Sequence, residues 1–375
     1  MDPHQIFCHN PDCPARGKVG FGNIGVHSRK ERRYICHECK RTFSQTKGTM
    51  FYHLRYPLEF VTQMITLLSY GCPLQAIVAA FSVDERTVAS WEQRAGEHCE
   101  GVHQHLVQQP RDLGQVQADE IRVKYQGGIA WLAMAIAVPT RLWLGGVISA
   151  SRNGALIRRL IDQVCHCALY RPLLMCTDGL ATYVPAIKQV FRISIFTGKP
   201  GRPQLRLWEH LCIVQVIKQH AQKQPRRVVG IIRRLACGTS QQVNALIKQT
   251  QRTSSAHVNY IERLNGTFRA RICYLVRRGR GLARQLETLE RAMCLVGCVY
   301  NFCTPHQSLR LVLYLPNNRH RWVKRTPAMA AGITDHVWTV QQLLSYQVPL
   351  SPWQPQKQRG RPSHKTKALI ERYLL

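Results

Sequence analysis

Apolar and polar positions recur with different periods along the chain, and between residues 115 and 150 the pattern predicts strands. QVQADEIRVKY alternates polar and apolar residues, GIAWLAMAIAVP is a continuous apolar run, and RLWLGGVISA is a third strand-like segment. The pairs Gly127-Gly128 and Pro139-Thr140 fit tight connections between them. We therefore expect three consecutive antiparallel strands.

A helix, a fourth strand and another helix are predicted next. Apolar residues recur at helical spacing within 153–169, a short apolar run at 172–177 predicts a buried strand, and a helix is expected over about 180–190. Three antiparallel strands followed by helix, strand and helix is the plan of a ribonuclease-H-like domain. In that plan the first and fourth strands are neighbours.

A helix-turn-helix is predicted between residues 72 and 96. CPLQAIVAAFSVDERTVASWEQRAG opens a short helix after Pro73, turns at Ser82-Val83-Asp84, and resumes helical spacing at Val88 and Trp91. Two short amphipathic helices joined by a turn also occur in proteins that do not bind DNA. On the DNA-binding interpretation, the second helix, 84–95, points five side chains variously toward a major groove or its flanking phosphates: Glu85, Arg86, Thr87, Ser90 and Arg94.

The charge balance identifies the kind of partner. The chain of 375 residues has 52 Lys and Arg against 21 Asp and Glu, a formal net charge of +31 that is spread along its length. Such an excess favours a polyanionic partner, and nucleic acid is the expected one. An anionic membrane surface is the alternative, but neither a basic amphipathic helix nor a lipidation signal stands out. The longest apolar run, 129–138, ends at Pro139 and is too short to span a bilayer.

The N-terminus and the cysteine count favour a cytosolic protein. MDPHQIFCHN lacks the charged and apolar regions of a signal peptide. Fifteen cysteines, an odd number, are better explained in a cytosolic chain by metal ligands and small buried hydrophobic residues than by disulfides.

Four cysteines form two close pairs that predict a zinc ribbon. The pairs occur in FCHNPDCPARG and YICHECKRTF, and the four residues are Cys8, Cys13, Cys36 and Cys39. The second pair has the usual gap of two residues and the first a gap of four, which zinc ligands allow. A chance clustering of cysteines is the alternative, and His9, His37 or His53 could replace one thiolate. We expect one structural zinc to supply much of the folding energy of residues 1–48.

Three carboxylates stand where a ribonuclease-H-like fold would bring them together. Asp119 lies in the first predicted strand, Asp178 ends the fourth in LLMCTDGLATY, and Glu262 lies on a helix predicted over 257–272. Converging from two strands and a helix, they would suit two magnesium ions for phosphoryl transfer. Each has a structural alternative: Asp119 as a surface strand residue, Asp178 as a helix N-cap, and Glu262 as half of an exposed ion pair.

Two further basic segments are candidates for DNA contact. Residues of about 197–256 are expected to form an insertion in which LCIVQVIKQ and RRVVGIIRR make a hairpin whose basic flanks lie along DNA. The alternative is a solvated basic excursion without a specific partner. From about residue 351 the chain is rich in Pro, Lys and Arg and is expected to be flexible. Within it, Arg359 and Arg361 belong to an RGRP segment whose extended shape fits an AT-rich minor groove.

These motifs together resemble those of a known family. The segments QADEIRVK, LLMCTDGLATY and NYIERLNGTFR, with the preceding cysteine pairs and helix-turn-helix and the later VGCVYNFCTPHQSLR and RTPAMAAGITDHVWT, resemble the DDE transposases of bacterial insertion sequences, most closely the insertion-sequence-one class. The resemblance implies that Asp119, Asp178 and Glu262 are catalytic and that Arg269 lies near DNA. Glu120 is the alternative to Asp119, because strand register decides which of the two faces the metal.

The resemblance implies an enzyme that binds terminal inverted repeats, hydrolyses a 3′ phosphodiester with metal-activated water, and joins the freed hydroxyl to target DNA. Two magnesium or manganese ions would be its cofactors. We expect a cytoplasmic, nucleoid-associated bacterial protein that works as a homodimer or higher homo-oligomer on DNA. The alternatives are a transposase-derived regulator that binds DNA without catalysis and a ribonuclease-H-like nuclease.

The expected organisation is therefore that of a multidomain α/β protein. A zinc ribbon at 1–50 precedes a helix-turn-helix domain at 55–110. A ribonuclease-H-like, integrase-like catalytic domain with a β-containing insertion follows at 113–310, and a C-terminal region with a basic flexible tail occupies 311–375.

Overall fold

The computed structural model describes residues 2–196, 198, 201–221, 228–251, 254–276, 281–316, 319–351, 353 and 363–373. Its strands are β1 (Ile24–Ser28), β2 (Arg33–Cys36), β3 (Thr42–Ser44), β4 (Gln115–Tyr125), β5 (Gly128–Ala137), β6 (Trp143–Ser149), β7 (Leu173–Thr177), β8 (Arg192–Ile195), β9 (Gln204–Leu207), β10 (Leu211–His220), β11 (Val228–Cys237), β12 (Leu311–Tyr314) and β13 (His320–Val323). Its helices are α1 (Leu58–Ser69), α2 (Leu74–Phe81), α3 (Glu85–Leu106), α4 (Gly154–Cys167), α5 (Tyr183–Val190), α6 (Ser240–Thr250), α7 (Asn259–Arg271), α8 (Leu286–Cys298), α9 (Pro327–Ala330), α10 (Val340–Ser345) and α11 (His364–Tyr373).

The chain divides into two units. Residues Met1–Gly48 and Pro349–Leu375 make up one, which we call the terminal unit, and Thr49–Val348 make up the other, the central unit. Among the described residues, no helix combines the length and the apolar character needed to cross a membrane.

A six-stranded sheet forms the middle of the central unit, in the order β11-β10-β7-β4-β5-β6. The three consecutive antiparallel strands expected from the sequence are confirmed as β4, β5 and β6. β7 lies parallel to β4, with Ala118 paired to Thr177. The first and fourth predicted strands are therefore neighbours, and Asp119 and Asp178 directly follow the last paired residues of this ladder.

Helices cover both faces of the sheet. On one face α4 packs against α5, β5 and β6, and its buried stripe contains Leu156, Leu160 and Val164. On the other face α7 lies against β4 and β5, and α8 lies against β6. Because both faces are covered, the first half of β4 is buried even where its side chains are polar, as at Gln115 and Gln117.

The structure corrects the prediction that residues 197–256 form an insertion. The predicted hairpin is confirmed, since β10 and β11 pair in antiparallel fashion with Ile217 opposite Ile232. However, β10 also pairs in parallel with β7 from Leu211 to Gln215, so it is an integral strand of the central sheet. The physical reason is burial: the apolar start of β10 is covered on both faces, which a surface excursion would not be. Helix α6, which follows β11, was not predicted.

Helices α2 and α3 occupy the segment that was predicted as two helices joined by a turn. Ser82 adopts a left-handed conformation, with φ 51°, at the end of α2. The side chain of Asp84 then accepts hydrogen bonds from the backbone N–H groups of Arg86 and Thr87, which caps the start of α3.

Helix α3 is longer than the sequence indicated. It continues to Leu106, beyond the predicted end at residue 95, because its buried stripe extends through Cys99 and Val102. Gly96, which could be taken for a helix end, instead allows a close helix contact: a Cβ at this position would lie 2.6 Å from the Cβ of Arg291 on α8. The second helix is thus also a packing element of the central unit.

The terminal unit contains the three-stranded antiparallel sheet β1-β2-β3. Its small core is built from Ile24, Tyr34 and Phe43 together with buried cysteines. Gly17, with φ 70°, lies against the backbone of Leu350, and a Cβ there would collide with the Leu350 carbonyl oxygen.

The basic tail is described only in part. The last described segment forms α11, an exposed helix that the prediction of a flexible tail did not include. Arg359 and Arg361, the proposed minor-groove residues, lie outside the described residues.

Candidate metal centres

The four predicted zinc ligands come together in the terminal unit. The Sγ atoms of Cys8 and Cys39 are 3.7 Å apart, those of Cys13 and Cys36 are 3.8 Å apart, and all four lie within 4.8 Å of one another. A tetrahedral zinc with Zn–S bonds of about 2.3 Å requires sulfur–sulfur distances of about 3.8 Å. The four thiols therefore match a zinc site in both number and spacing.

Hydrogen bonds to sulfur support the same assignment. The backbone N–H of Asn10 donates to Cys8 Sγ at 3.4 Å, and Asn23 Nδ2 donates to Cys36 Sγ at 3.2 Å. Burial raises the pKa of the Cys39 thiol, but hydrogen bonds from the Arg41 backbone, from Asn10 and from neighbouring cysteines outweigh burial and lower the pKa to about 7. Burial raises the pKa of the Cys8 and Cys13 thiols, which a bound cation would offset. Donors of this kind stabilise the thiolate form that binds metal.

Histidine is not part of this cysteine group. The ring of His9 instead packs between Phe7 and Phe43, at centroid distances of 4.7 Å and 5.4 Å. Burial lowers the pKa of His9 to about 4, so the ring stays neutral in this small core at pH 7.

A second group of possible metal ligands lies where the β4–β7 ladder ends, in the middle of β4 and just after β7. Carboxylate oxygens of Asp119, Glu120 and Asp178 lie within 4.8 Å of one another. Such a group can hold a metal ion, because hard divalent cations prefer carboxylate oxygens. Successive residues of a strand point to opposite faces, so Asp119 and Glu120 have different surroundings.

Asp119 points to the face covered by α7. Its Oδ2 accepts a hydrogen bond of 2.8 Å from Nδ2 of Asn265, a residue of that helix. Burial, followed by the negative charges of Asp178 and Glu120, raises the pKa of Asp119 to about 7. The carboxylate is therefore costly to ionise without a compensating positive charge.

Glu120 points to the face covered by α5, and its side chain is fully buried. Its Oε2 accepts a hydrogen bond of 2.9 Å from the hydroxyl of Tyr183, and its Oε1 accepts from Arg152. The guanidinium of Arg152 lies over the ring of Trp131 at 4.7 Å, and its Nη2 is 4.0 Å from Oδ2 of Asp178. Both oxygens of Glu120 thus already have protein donors, and sequence reasoning missed Arg152 and Tyr183.

Asp178 lies in the turn between β7 and α5. Its Oδ1 accepts from the backbone N–H of Leu180 at 3.0 Å, and its backbone oxygen accepts from Nε2 of the buried Gln215 at 3.1 Å. Burial raises the pKa of Asp178, an effect that the Leu180 N–H opposes. The carboxylate caps its own turn, whereas α5 begins after Thr182.

Glu262 lies outside this acidic group. It occupies the first turn of α7, where Oε1 accepts from Nζ of Lys218 on β10. It lies on the same helix as Asn265, which binds Asp119, and its charge is one of the smaller causes that raise the pKa of Asp119. The structure thus brings two of the three predicted carboxylates together and leaves the third, on α7, in an ion pair nearby.

Gln117, which sequence reasoning also missed, fixes the start of α7 against β4. Its Oε1 accepts from the backbone N–H groups of Tyr260 and Ile261 at 3.0 Å and 3.1 Å, and its Nε2 donates to the His257 carbonyl at 2.6 Å. Val258, the N-cap residue of α7, makes no side-chain cap. Gln117, a strand residue, therefore satisfies the backbone groups that a helix cap would normally satisfy. A polar residue in a strand expected to be buried was the sequence signal that could have identified it.

The proposed DNA-contacting residues have mixed surroundings. Arg86 and Ser90 are exposed on α3, whereas Thr87 is half-buried. Arg94 is half-buried, and its guanidinium donates to the backbone oxygens of Met50 and Tyr52. A contact between Arg94 and a DNA phosphate would need the same guanidinium N–H donors. Arg269 is half-buried on α7. Contact of these residues with DNA stays a prediction.

Comparison with known proteins gives one partial match and no family model. A stretch of 120 residues is 28% identical to an uncharacterized protein in the transposable element ISH50 of Halobacterium salinarum. It covers 32% of this chain and 37% of that protein, so the match spans little more than a third of the relative's length. No family model matches the chain. The similarity suggests a transposase-related role.

Proposed function

We propose that the chain is a DDE transposase that binds the ends of an insertion sequence, cuts a 3′ phosphodiester and joins the freed hydroxyl to target DNA. The observation that carries the proposal is the placement of Asp119 on β4 and Asp178 just after β7, immediately past the last paired residues of these adjacent parallel strands and beside the helix that holds Glu262. The partial similarity to a transposable-element protein points in the same direction.

The topology of the central sheet supports a ribonuclease-H-like fold. β6, β5 and β4 are antiparallel neighbours, and β7 and β10 extend the sheet in parallel from β4. Helices α4 and α5 follow β6 and β7 in the order expected of that fold. In open α/β sheets, sites form beyond the carboxyl ends of the strands, which is where Asp178 lies.

Asp119, Asp178 and Glu262 are the residues that would hold magnesium or manganese. Their donor set is all carboxylate oxygen, as these ions prefer. Burial and then neighbouring negative charge raise the pKa of Asp119, and a bound cation would offset both effects. Such ions, when bound, stabilise the charge that develops on the attacking and leaving oxygens of an in-line displacement. No covalent bond between the protein and DNA is required.

The remaining residues would position this set. Asn265 orients Asp119 through its hydrogen bond. Glu120, with both oxygens engaged, is assigned to hold Arg152 beside Asp178, where the guanidinium can contact phosphate oxygens of DNA. This assignment makes Asp119, and not Glu120, the metal ligand of β4.

Recognition of the element would come from the two predicted DNA-binding segments that precede the central sheet, the zinc ribbon and the helix-turn-helix. We assign one structural zinc to Cys8, Cys13, Cys36 and Cys39, on the match of their sulfur spacing to a tetrahedral site. We assign base readout to the first turns of α3, where a helix-turn-helix would present Arg86 and Ser90 to a major groove.

Cleavage of DNA from the borders of the gene tests the proposal. With a labelled duplex from the border and magnesium present, the full chain should release a free 3′ hydroxyl. Asp119→Asn, Asp178→Asn and Glu262→Gln should each abolish this while retaining DNA binding, and Glu209→Gln, at an exposed site, serves as the control. Binding without cleavage by the unaltered chain would identify the non-catalytic regulator instead. Cleavage by Asp119→Asn but not by Glu120→Gln would reverse the assignment on β4.

A further inference from the structure

The hairpin of β12 and β13 exposes an unusual combination of side chains. Val312 pairs with Trp322 and Tyr314 pairs with His320, so residues with even numbers share one face and residues with odd numbers share the other. Tyr314 is 85% exposed and Trp322 is 45% exposed. Large apolar surface left in water on a two-stranded hairpin is a sign of an interaction site.

The even-numbered face is both aromatic and basic. The guanidinium of Arg310 stacks on the ring of Trp322, 3.7 Å from its centroid, and the ring of His320 lies at its edge, 5.9 Å away. Tyr314 lies across from His320 in the strand pairing. We call the group Arg310, Tyr314, His320 and Trp322 the aromatic face.

The surrounding charge is of one sign. Arg319, Arg321, Lys324 and Arg325 lie in or beside the hairpin, and no Asp or Glu occurs in the sequence between Glu290 and Asp335. An uninterrupted basic segment favours a polyanion as the partner. It disfavours a second copy of the same hairpin, because like charges facing one another oppose association.

We propose that the aromatic face binds DNA that has unpaired bases, such as the end of a cut strand. Aromatic rings and stacked guanidinium groups provide flat surfaces for bases, and nearby Lys and Arg attract the backbone. A base that is still paired and stacked within a duplex cannot use such a surface. The inference rests on the proposed function, since it concerns the DNA on which that enzyme would act.

Binding to three DNA probes tests the inference. Fluorescence anisotropy with the full, zinc-containing chain would compare a blunt duplex, the same duplex with a single-stranded 3′ extension, and a single strand. Trp322→Ala and Tyr314→Ala should each weaken binding to the extended and single-stranded probes by about fivefold or more, as expected for a lost stacking contact, with little change for the blunt duplex. Trp322→Phe should restore most of the affinity.

Leu313→Ala is the matched control. Leu313 is 51% exposed and adjacent to Tyr314, but it lies on the opposite face of the hairpin, so its replacement should leave all three affinities unchanged. Because the Tyr314 side chain is 85% exposed, Tyr314→Ala should not disturb folding, and circular dichroism of each variant would check that the fold is retained.

Three results would overturn the inference. The first is that the aromatic variants lose affinity equally for the blunt and extended probes. The second is that both aromatic variants bind every probe as the unaltered chain does. The third is that sedimentation shows a change of oligomeric state in Trp322→Ala, which would make the hairpin a contact between copies of the chain. If the unaltered chain bound none of the probes, the proposed function itself would fail.

Discussion

Replacing Gln117 with methionine would remove the contacts that hold α7 against β4. Methionine is similar in length, so packing is kept, but it cannot accept from the Tyr260 and Ile261 N–H groups or donate to the His257 carbonyl. Each buried polar group that loses its partner costs about 1–3 kcal/mol. Because the freed backbone groups at the start of α7 can move partly into solvent, the total cost is less than the sum of the separate costs. We expect the free energy of unfolding to fall by about 3 kcal/mol.

The same change should lower activity beyond its effect on stability. The first turn of α7 holds Glu262, and the next turn holds Asn265, which binds Asp119. Misplacement of a catalytic group by about 1 Å can cost about a hundredfold in rate. Under conditions where the variant is fully folded, we therefore expect strand cleavage to fall at least about tenfold. Urea unfolding followed by circular dichroism, and cleavage rates at low temperature, would measure the two effects separately.

Gln115→Met is the matched control for this prediction. Gln115 lies on the same face of the same strand and is fully buried, but its partners are Sγ of Cys176 and Oγ1 of Thr250, away from α7. It should lose stability and retain cleavage. If both glutamine variants lost cleavage equally, or if Gln117→Met were as stable as the unaltered chain, the assigned role of Gln117 would be refuted.

Three further predictions concern other parts of the chain. Metal analysis should find one zinc per chain, and Cys36→Ser should lose it; a zinc content unchanged in the variant would contradict the four-cysteine site. The double variant Arg86→Ala with Ser90→Ala should reduce the preference for element ends over random DNA by about 1–3 kcal/mol per lost base contact, with an unchanged salt slope in competition binding. Burial lowers the pKa of His103 from 6.5 to about 4, so the unfolded state binds more protons than the folded state between these pH values. The free energy of unfolding, measured with urea, should therefore fall as the pH drops below 6.5, by about 2 kcal/mol at pH 5. A variant such as His103→Gln should show less of this loss.

The strands β4 to β7 and the helices α4, α5 and α7 could be predicted because local patterns specify them. The alternation in β4 and the continuous apolar run in β5 are strong signals, and short turns between them left little choice of pairing. The placement of β10 could not be predicted in this way. Its antiparallel partner β11 is close in sequence, whereas its parallel partner β7 is far away, and only the burial of Leu211 to Val214 on both faces indicated it.

The candidate site was predictable in its residue types but not in its contacts. Alternation places Asp119 and Glu120 on opposite faces of β4, yet it does not say which face α7 covers. The partners that distinguish them, Asn265 and Tyr183, lie on helices distant in sequence. Gln117 was missed for a related reason: an amide in an alternating strand usually faces water, and here that face is covered by a helix.

The contact between Gly17 and Leu350 has a consequence for biosynthesis. The terminal unit combines the first 48 residues with the segment that begins at Pro349, so it is discontinuous in the chain. During translation its N-terminal portion leaves the ribosome long before Leu350 is made, whereas the central unit has its whole sequence available earlier. The terminal unit would therefore be the last to complete, and a polypeptide shortened before residue 349 would retain the four cysteines while lacking part of the unit that contains them.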